Sequence, residues 1–378
     1  MIRLRIVHTE SSCGWGGQEL RIISESQGLI ERGHDVCVVA PPESRIYVEA
    51  NKRGVPSHAL PIARKSVRGL LALRRLLAER RPDVVNTHSS TDSWLAALAL
   101  ATLAGAPPLV RTRHISAPIP RNAGSRWLYG RATAHVVTTG ERLREQVVRE
   151  TRLDGARVSS VPTGVDLGRF APGDRAAARA RLGLPRDAFT IGIVATLRSW
   201  KGHRYLVDAV ARSLRSDPKS GPKPGWMLLM VGDGPGEDNL RAQVASLGIE
   251  ARVRMPGNQD DVVPWLQALD VFALPSYANE GVPQAIMQAM ACGVPVVSTP
   301  VGAIGELVRD GDTGLLVPPQ DAQALAAALA RLEEDAALRA RLAQRARDHV
   351  HAHFARERML ERMEAVFRTA AERHRAAS

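Results

Sequence analysis

Short apolar, β-branched runs alternate with longer stretches of helical period along almost the whole chain. Arg3–His8 reads as a strand, inside an alternating stretch that begins at Met1. A glycine turn at Gly14–Gly17 and a helix to about Arg32 follow, and Gly33 ends that helix before a strand over Asp35–Ala40. Further strands fit Val55–Ala59, Val84–His88, Leu109–His114, His135–Thr138 and Val158–Val161. Helices fit Ser66–Glu79, Asp92–Ala104, Ser125–Ala132 and Gly140–Glu150. The alternation then starts again, with strands at Thr190–Ala195, Trp226–Val231, Val253–Met255, Val271–Leu274, Val294–Ser298 and Gly314–Val317. The helices between and after them are His203–Arg215, Gly236–Leu247, Val262–Ala268, Pro283–Ala291, Gly305–Arg309 and Asp321–Leu332. Short buried strands alternating with helices predict parallel sheets covered on both faces, a doubly wound α/β class. Pro162, Gly164, Gly168, Pro172 and Gly173 mark a linker near Thr163–Gly183, so the expected domains are 1–165 and 166–354. Beyond Asp335 nearly every residue is a helix former. Two facing Rossmann-like domains would leave a cleft at the carboxyl ends of their strands, where ligands bind in this architecture.

Composition narrows the class. Length 378 suits two domains or three; 44% hydrophobic and 24% charged residues fit a globular chain and exclude a disordered one. With 4% aromatics, the core must be built mainly from Leu, Val, Ile and Ala. Cys13, Cys37 and Cys292 form no C-x-x-C pair, which speaks against a zinc cluster or disulfide scaffold and fits a reducing cytosol. The amino terminus reads as a strand and not as a signal peptide. The longest nearly apolar run, Trp94–Val110, is broken by Gly105, Pro107 and Pro108. That leaves about 11 helical residues against the roughly 20 a membrane span needs. The expected protein is therefore soluble or peripheral, cytoplasmic, and placed at most on the inner face of the plasma membrane.

The net charge of +12 is uneven: residues 1–165 hold 24 basic and 14 acidic side chains. Such asymmetry points to an anionic partner for the first half, or to solubility alone. Leu70, Leu73 and Leu77 share one face of the helix Ser66–Glu79, with Arg64, Lys65, Arg68, Arg74 and Arg75 around them. This is either a basic amphipathic helix resting on anionic lipid or an ordinary helix packed on the sheet. A second cluster, Arg111, Arg113, Arg121, Arg126 and Arg131, contains no acidic residue and suits a phosphorylated or lipid-linked acceptor. Little aromatic interleaving argues against nucleic acid as a partner.

Four loops have phosphate-handling chemistry. Gly14-Trp15-Gly16-Gly17 lies between a strand and a helix, where backbone can approach an anion, although a tight turn alone needs the same residues. Arg198-Ser199-Trp200-Lys201-Gly202 puts two cations after the first strand of the second domain; a solvated basic loop reads alike. Gly232-Asp233-Gly234-Pro235-Gly236 is a nucleotide-pocket wall or simply a turn. The most specific is Glu280-Gly281-Val282-Pro283, opening a helix with Pro283 in its first turn and Gln288 further along. Asp310-Gly311-Asp312 resembles a metal-binding D-x-D only superficially, and no metal site is expected.

Taken together, these segments resemble glycosyltransferase family 4, retaining enzymes of the GT-B fold. The resemblance rests on Gly16-Gly17, Arg111-Thr112-Arg113-His114, Val161-Pro162-Thr163-Gly164-Val165-Asp166, and Glu280-Gly281-Val282-Pro283 through Met290-Ala291-Cys292-Gly293-Val294-Pro295-Val296-Val297. Gly302, Glu306 and Thr313-Gly314-Leu315-Leu316-Val317 complete it. It implies a GT-B pair of Rossmann-like domains, the first for the acceptor and the second for the donor, with a terminal helix over about 355–378 packing back on the first. It implies a metal-independent hexosyltransferase, with no cofactor beyond the nucleotide-diphosphate sugar as co-substrate. The acceptor would be a glycan or glycolipid hydroxyl in cell-envelope polysaccharide or lipopolysaccharide assembly. Lys201, Arg198 and the amides of Gly281 and Val282 would hold the diphosphate, and Gly232 would wall the nucleotide. Glu280 would bond the donor sugar, Gln288 the ribose, Gly16 and Gly17 the diphosphate or acceptor side. His114 would lie near the reacting sugar, or be a buried structural histidine.

Three positions depart from the family pattern. Gln288 stands at the second glutamate of E-x7-E, so a carboxylate role there is lost. Thr196 occupies the usual phosphate arginine's place, with Arg198 as its substitute, and Thr163 replaces the asparagine of N-G-V-D. In the mechanism these residues imply, Lys201, Arg198 and the helix terminus at Gly281 neutralise the leaving diphosphate. The acceptor then enters on the leaving-group face, and the departing phosphate takes its proton. The competing readings are a sugar phosphorylase, a nucleotide-sugar epimerase and a non-catalytic nucleotide-sugar-binding protein.

Overall fold

The computed structural model describes residues 3–215, 225–278 and 280–377; Met1 and Ile2, at the start of the first expected strand, lie outside them. The chain forms two compact units, residues 1–164 together with 356–378, and residues 165–355.

The first unit contains β1 (Arg5–Thr9), β2 (Asp35–Ala40), β3 (Ser57–Ala59), β4 (Val84–Thr87), β5 (Leu109–Arg113), β6 (His135–Thr138) and β7 (Val158–Ser160). They form one parallel sheet in the order β3-β2-β1-β4-β5-β6-β7. Strand alternation divides its two faces. On one face Ile6, Val36, Val84, Val110 and Val137 pack against Met359, Leu360, Met363 and Phe367 of the helix Arg356–Ala377. On the other face Val7, Cys37, Val39, Val85 and Leu109 pack against Leu73, Leu77, Leu95 and Leu100. Leu73 and Leu77 are fully buried and Leu70 packs beside them, so the apolar stripe of the helix Val67–Arg80 is spent on the sheet. The reading of that stripe as a lipid-facing surface is corrected accordingly: a side chain inside the core cannot also enter a bilayer.

The second unit contains β8 (Thr190–Val194), β9 (Met227–Val231), β10 (Val253–Gly257), β11 (Val271–Leu274), β12 (Val296–Ser298) and β13 (Leu315–Leu316). Its parallel order is β10-β9-β8-β11-β12-β13. β9 and β11 are buried at every position, which is why they read as continuous apolar runs.

Some local expectations shift. The helix Arg45–Lys52, capped by Ser44 accepting from the Tyr47 N–H, falls where no element was expected. The expected helix over 125–132 is an α-turn, Ala123–Trp127, followed by a π-turn, Leu128–Ala132. Pro283 is the N-cap of the helix Gln284–Ala291, with extended ψ of 120°, instead of a first-turn residue. Among the described residues no helix is long and apolar enough to cross a membrane.

Candidate functional site

In each sheet the chain order reverses at one seam, between β1 and β4 in the first unit and between β8 and β11 in the second. Loops leaving such a seam diverge to opposite sides, which opens a crevice at the carboxyl edge. Gly16 and Gly17 follow β1, Arg198 and Lys201 follow β8, and Glu280 follows β11, all at these seams, whereas His114 follows β5 and Gly232 follows β9.

In the second unit Lys201 follows β8 and Glu280 follows β11. Lys201 Nζ lies 2.7 Å from Glu280 Oε1, with side-chain exposures of 21% and 4%. The buried Ser276 hydroxyl donates to the same carboxylate oxygen at 2.6 Å. The two loops are bound together: the Tyr277 N–H donates to the Trp200 carbonyl at 2.9 Å, and Tyr205 meets Tyr277 edge to face. Gly202, at φ 80°, lets its loop approach Pro275 more closely than a Cβ would permit. Gly281 is partly exposed and Val282 buried, just before the helix Gln284–Ala291; Gln288 is partly buried on that helix.

Arg198 is exposed, with its guanidinium 5.1 Å over the Trp200 ring, while its carbonyl accepts from the Lys201 N–H. Gly232, at φ 139°, lets the loop after β9 pack on Ala195, and its N–H donates to the Gly257 carbonyl. Asp310 accepts from the Leu316 N–H, while Asp312 pairs with Arg309 and Arg345, so both carboxylates of D-x-D have protein partners.

Sequence reasoning did not pick out His203, the first residue of the helix His203–Arg215. Its ring is buried, and both nitrogens lack a partner among the described residues. Burial, and then the charge of Lys201, push its pKa down to about 3.

In the first unit the even-numbered positions of β1, β4 and β5 continue the apolar row Ile6, Val84, Val110 into polar side chains. His8 Nδ1 is 3.0 Å from His88 Nε2, and His88 Nδ1 is 3.0 Å from His114 Nε2. Asn86 Nδ2 lies 3.3 Å from His88 Nε2, and the Thr112 hydroxyl donates to Asn86 Oδ1 at 3.0 Å. Burial and the nearby Arg21 lower the pKa of His8 to about 3; burial first lowers those of His88 and His114 as well. His114, the one histidine of the three that was singled out from sequence, is thus the partly exposed end of a row. The signal for His8 and His88 was parity: each stands two or four residues along from a core-facing Ile6 or Val84.

Next to this row, the buried Asp92 accepts from Thr9 Oγ1, Ser89 Oγ and the N–H groups of His88 and Ser89. Glu10, at the end of β1, accepts from the Ser12 N–H and from Gln18. Burial, and then the charge of Asp92, raise the Glu10 pKa to about 8. Gly16 is extended, at φ −178°, and caps the helix Gly17–Glu31, whose exposed first residue is Gly17. Glu19 already stands in the first turn of that helix, so a carboxylate shares its positive end. Thr163, at the N-G-V-D position, accepts from the buried Arg21 at 3.4 Å.

Two family models cover these units: "Glycosyltransferase Family 4" over residues 15–169 and "Glycosyl transferases group 1" over residues 174–349. A D-inositol 3-phosphate glycosyltransferase of Geodermatophilus obscurus is 31% identical over 96% of this chain and 87% of its own. This chain belongs to glycosyltransferase family 4. Another relative of the same name, from Stackebrandtia nassauensis, is 35% identical over 71% of this chain. The chain spans 64% of the length of that relative. Among solved structures, Anabaena HepE in complex with UDP is similar at TM-score 0.83 and 21% identity, over 97% of this chain and all of that one. Sucrose-phosphate synthase of Thermosynechococcus elongatus is similar at TM-score 0.82 and 23% identity over the full length of both chains. The family's GT-B fold is therefore that of this member.

Proposed function

We propose that the protein is a retaining, metal-independent glycosyltransferase that moves a hexose from a nucleotide-diphosphate sugar to a hydroxyl of an anionic acceptor. The observation that carries this reading is the Lys201–Glu280 pair at the β8/β11 seam. Breaking a glycosyl–phosphate bond leaves negative charge on the diphosphate and positive charge on the sugar. Lys201, the amides of Gly281 and Val282 and the amino end of the helix His203–Arg215 would neutralise the former. Glu280, held by Ser276, would accept from donor-sugar hydroxyls, and Gln288 would meet the ribose. Arg198 would swing from Trp200 to the phosphates. The unit 165–355 would be the donor side and the unit containing residues 1–164 the acceptor side, with Gly16, Gly17 and His114 at its carboxyl edge and Gly232 walling the nucleotide. No cofactor is invoked.

The relatives named D-inositol 3-phosphate glycosyltransferase favour a phosphorylated polyol over a lipopolysaccharide as acceptor. The positive first half suits either an acceptor phosphate or an anionic membrane that presents the acceptor.

The test is a thermal-shift screen of nucleoside diphosphates and their sugars, followed by product analysis with inositol phosphates and lipid-linked glycans. The expected result is nucleoside diphosphate release that depends on acceptor, with the anomeric configuration kept. Dependence on free phosphate would mean a phosphorylase. Isomerised donor without acceptor would mean an epimerase, and binding without turnover a non-catalytic binding protein. Failure of every nucleotide to stabilise the chain would overturn the reading.

A further inference from the structure

The three imidazoles of the first unit form a directed row. His8 lies at its root, stacked on His88 with ring centroids 5.2 Å apart and meeting Phe367 edge to face. Its Nε2 is buried and has no partner among the described residues. A buried N–H without an acceptor is rarer and costlier than a buried lone pair, so the His8 hydrogen belongs on Nδ1. That N–H points at His88 Nε2, 3.0 Å away, which must then be the bare nitrogen. Asn86 supports the same assignment. Thr112 donates to its Oδ1, which turns Nδ2 toward the row, where it donates to His88 Nε2 at 3.3 Å. The longer 3.4 Å approach of Asn86 Nδ2 to His8 Nδ1 is then a contact between two donors and not a bond. With Nε2 bare, the His88 hydrogen is on Nδ1 and donates to His114 Nε2 at 3.0 Å. His114 in turn carries its hydrogen on Nδ1, which has no partner among the described residues.

We propose that His8 and His88 are positioning residues that lock His114 in the Nδ1–H tautomer, so that it presents a hydrogen-bond donor to a sugar oxygen and never a general base. The tautomer follows from the row alone; its use in turnover rests on the glycosyltransferase reading. Burial keeps all three rings neutral near pH 7, so the row holds its direction there. With the Nδ1 site of His114 already protonated, the acceptor's proton must leave by another route, which agrees with transfer to the departing phosphate. The Asn86 and Thr112 side chains are part of the same device.

Two measurements test this on the full chain. Long-range ¹H–¹⁵N correlation spectra of histidine-labelled protein, assigned with single substitutions, should show His114 with Nδ1 protonated and Nε2 bare. A protonated Nε2 on His114 would overturn the proposal, whether or not the protein turns over any donor. In kinetics, His88→Phe breaks the row, while His88→Asn keeps a donor where Nδ1 stood. His88→Phe should lower kcat by about 10- to 100-fold with little change in donor KM, and His88→Asn should recover most of it. Equal loss in both variants, or none in His88→Phe, would also overturn it. If His88→Phe does not fold, the spectra of the wild type decide alone. Absence of turnover with every donor would count against the glycosyltransferase reading and leave the tautomer to the spectra.

Discussion

Gly302 lies against the backbone of Glu280, so close that a Cβ on Gly302 would overlap the Glu280 carbonyl oxygen. Gly302 also sits at φ 59°, in the left-handed region. Gly302→Ala should therefore both strain its own backbone and push Glu280 out of line with Lys201. Gly311, at φ 71° with open space around it, is the control for strain alone. We expect Gly311→Ala to cost about 1 kcal/mol. Gly302→Ala should cost more than about 3 kcal/mol, in chemical denaturation, and weaken nucleotide-sugar binding. Equal losses would show that the close approach to Glu280 carries no energy.

Lys201→Ala removes the cation from a carboxylate that is almost fully buried. Turnover at saturating donor should fall by about 10²-fold or more. Because the two side chains act as a pair, adding Glu280→Gln to Lys201→Ala should cost less than the product of the single effects. Unchanged turnover in Lys201→Ala would remove Lys201 from the diphosphate site.

Glu10 gives a pH dependence with a definite sign. Its folded pKa, about 8, lies above the ordinary 4.5, so the folded protein holds a proton that the unfolded chain gives up. The stabilisation from this group is full below 4.5 and drains away as pH rises toward about 8. Glu10→Gln stays neutral throughout. Its Tm relative to wild type should rise between pH 5 and pH 8, by several degrees at the upper end. A constant difference across that range would mean that Glu10 is ionised in the fold.

Leu73 separates a packing helix from a lipid-binding one. It is fully buried in the core of the first unit. Leu73→Ala should lose about 2–5 kcal/mol of stability in denaturant unfolding. Sedimentation with anionic vesicles, measured on protein that is still folded, should be unaffected. Intact stability with lost vesicle binding would restore the membrane-facing reading of this helix.

The strands were readable because parallel strands buried on both faces appear as unbroken apolar runs, as in β9 and β11. The helix Arg45–Lys52 was not, because Ile46, Tyr47 and Val48 have weak helix propensity and only Ser44 announces it. Site residues divide in the same way. Lys201 and Glu280 stand out because each lies in a glycine-bearing loop after a strand, although 79 positions separate them. His8 and His88 carry no such local mark. They meet across 80 positions because β1 and β4 pair in parallel, with His8 opposite Asn86, and that register is a property of the sheet. Arg198 shows the converse: a cation offered as a substitute for the family's arginine, which the fold leaves over the ring of Trp200.

The helix Arg356–Ala377 covers one face of the first unit's sheet, yet 191 residues of the second unit are translated between them. During synthesis Ile6, Val84, Val110 and Val137 must wait for Met363 and Phe367 before that face is sealed. Arg21 waits too, since its guanidinium reaches both the Val161 carbonyl and Met363 Sδ. The second unit is the one that can mature first, on a nascent chain whose earlier half still exposes an apolar face. A fragment cut after residue 164 would keep that face bare, which makes it a substrate for chaperones and a poor candidate for isolated expression.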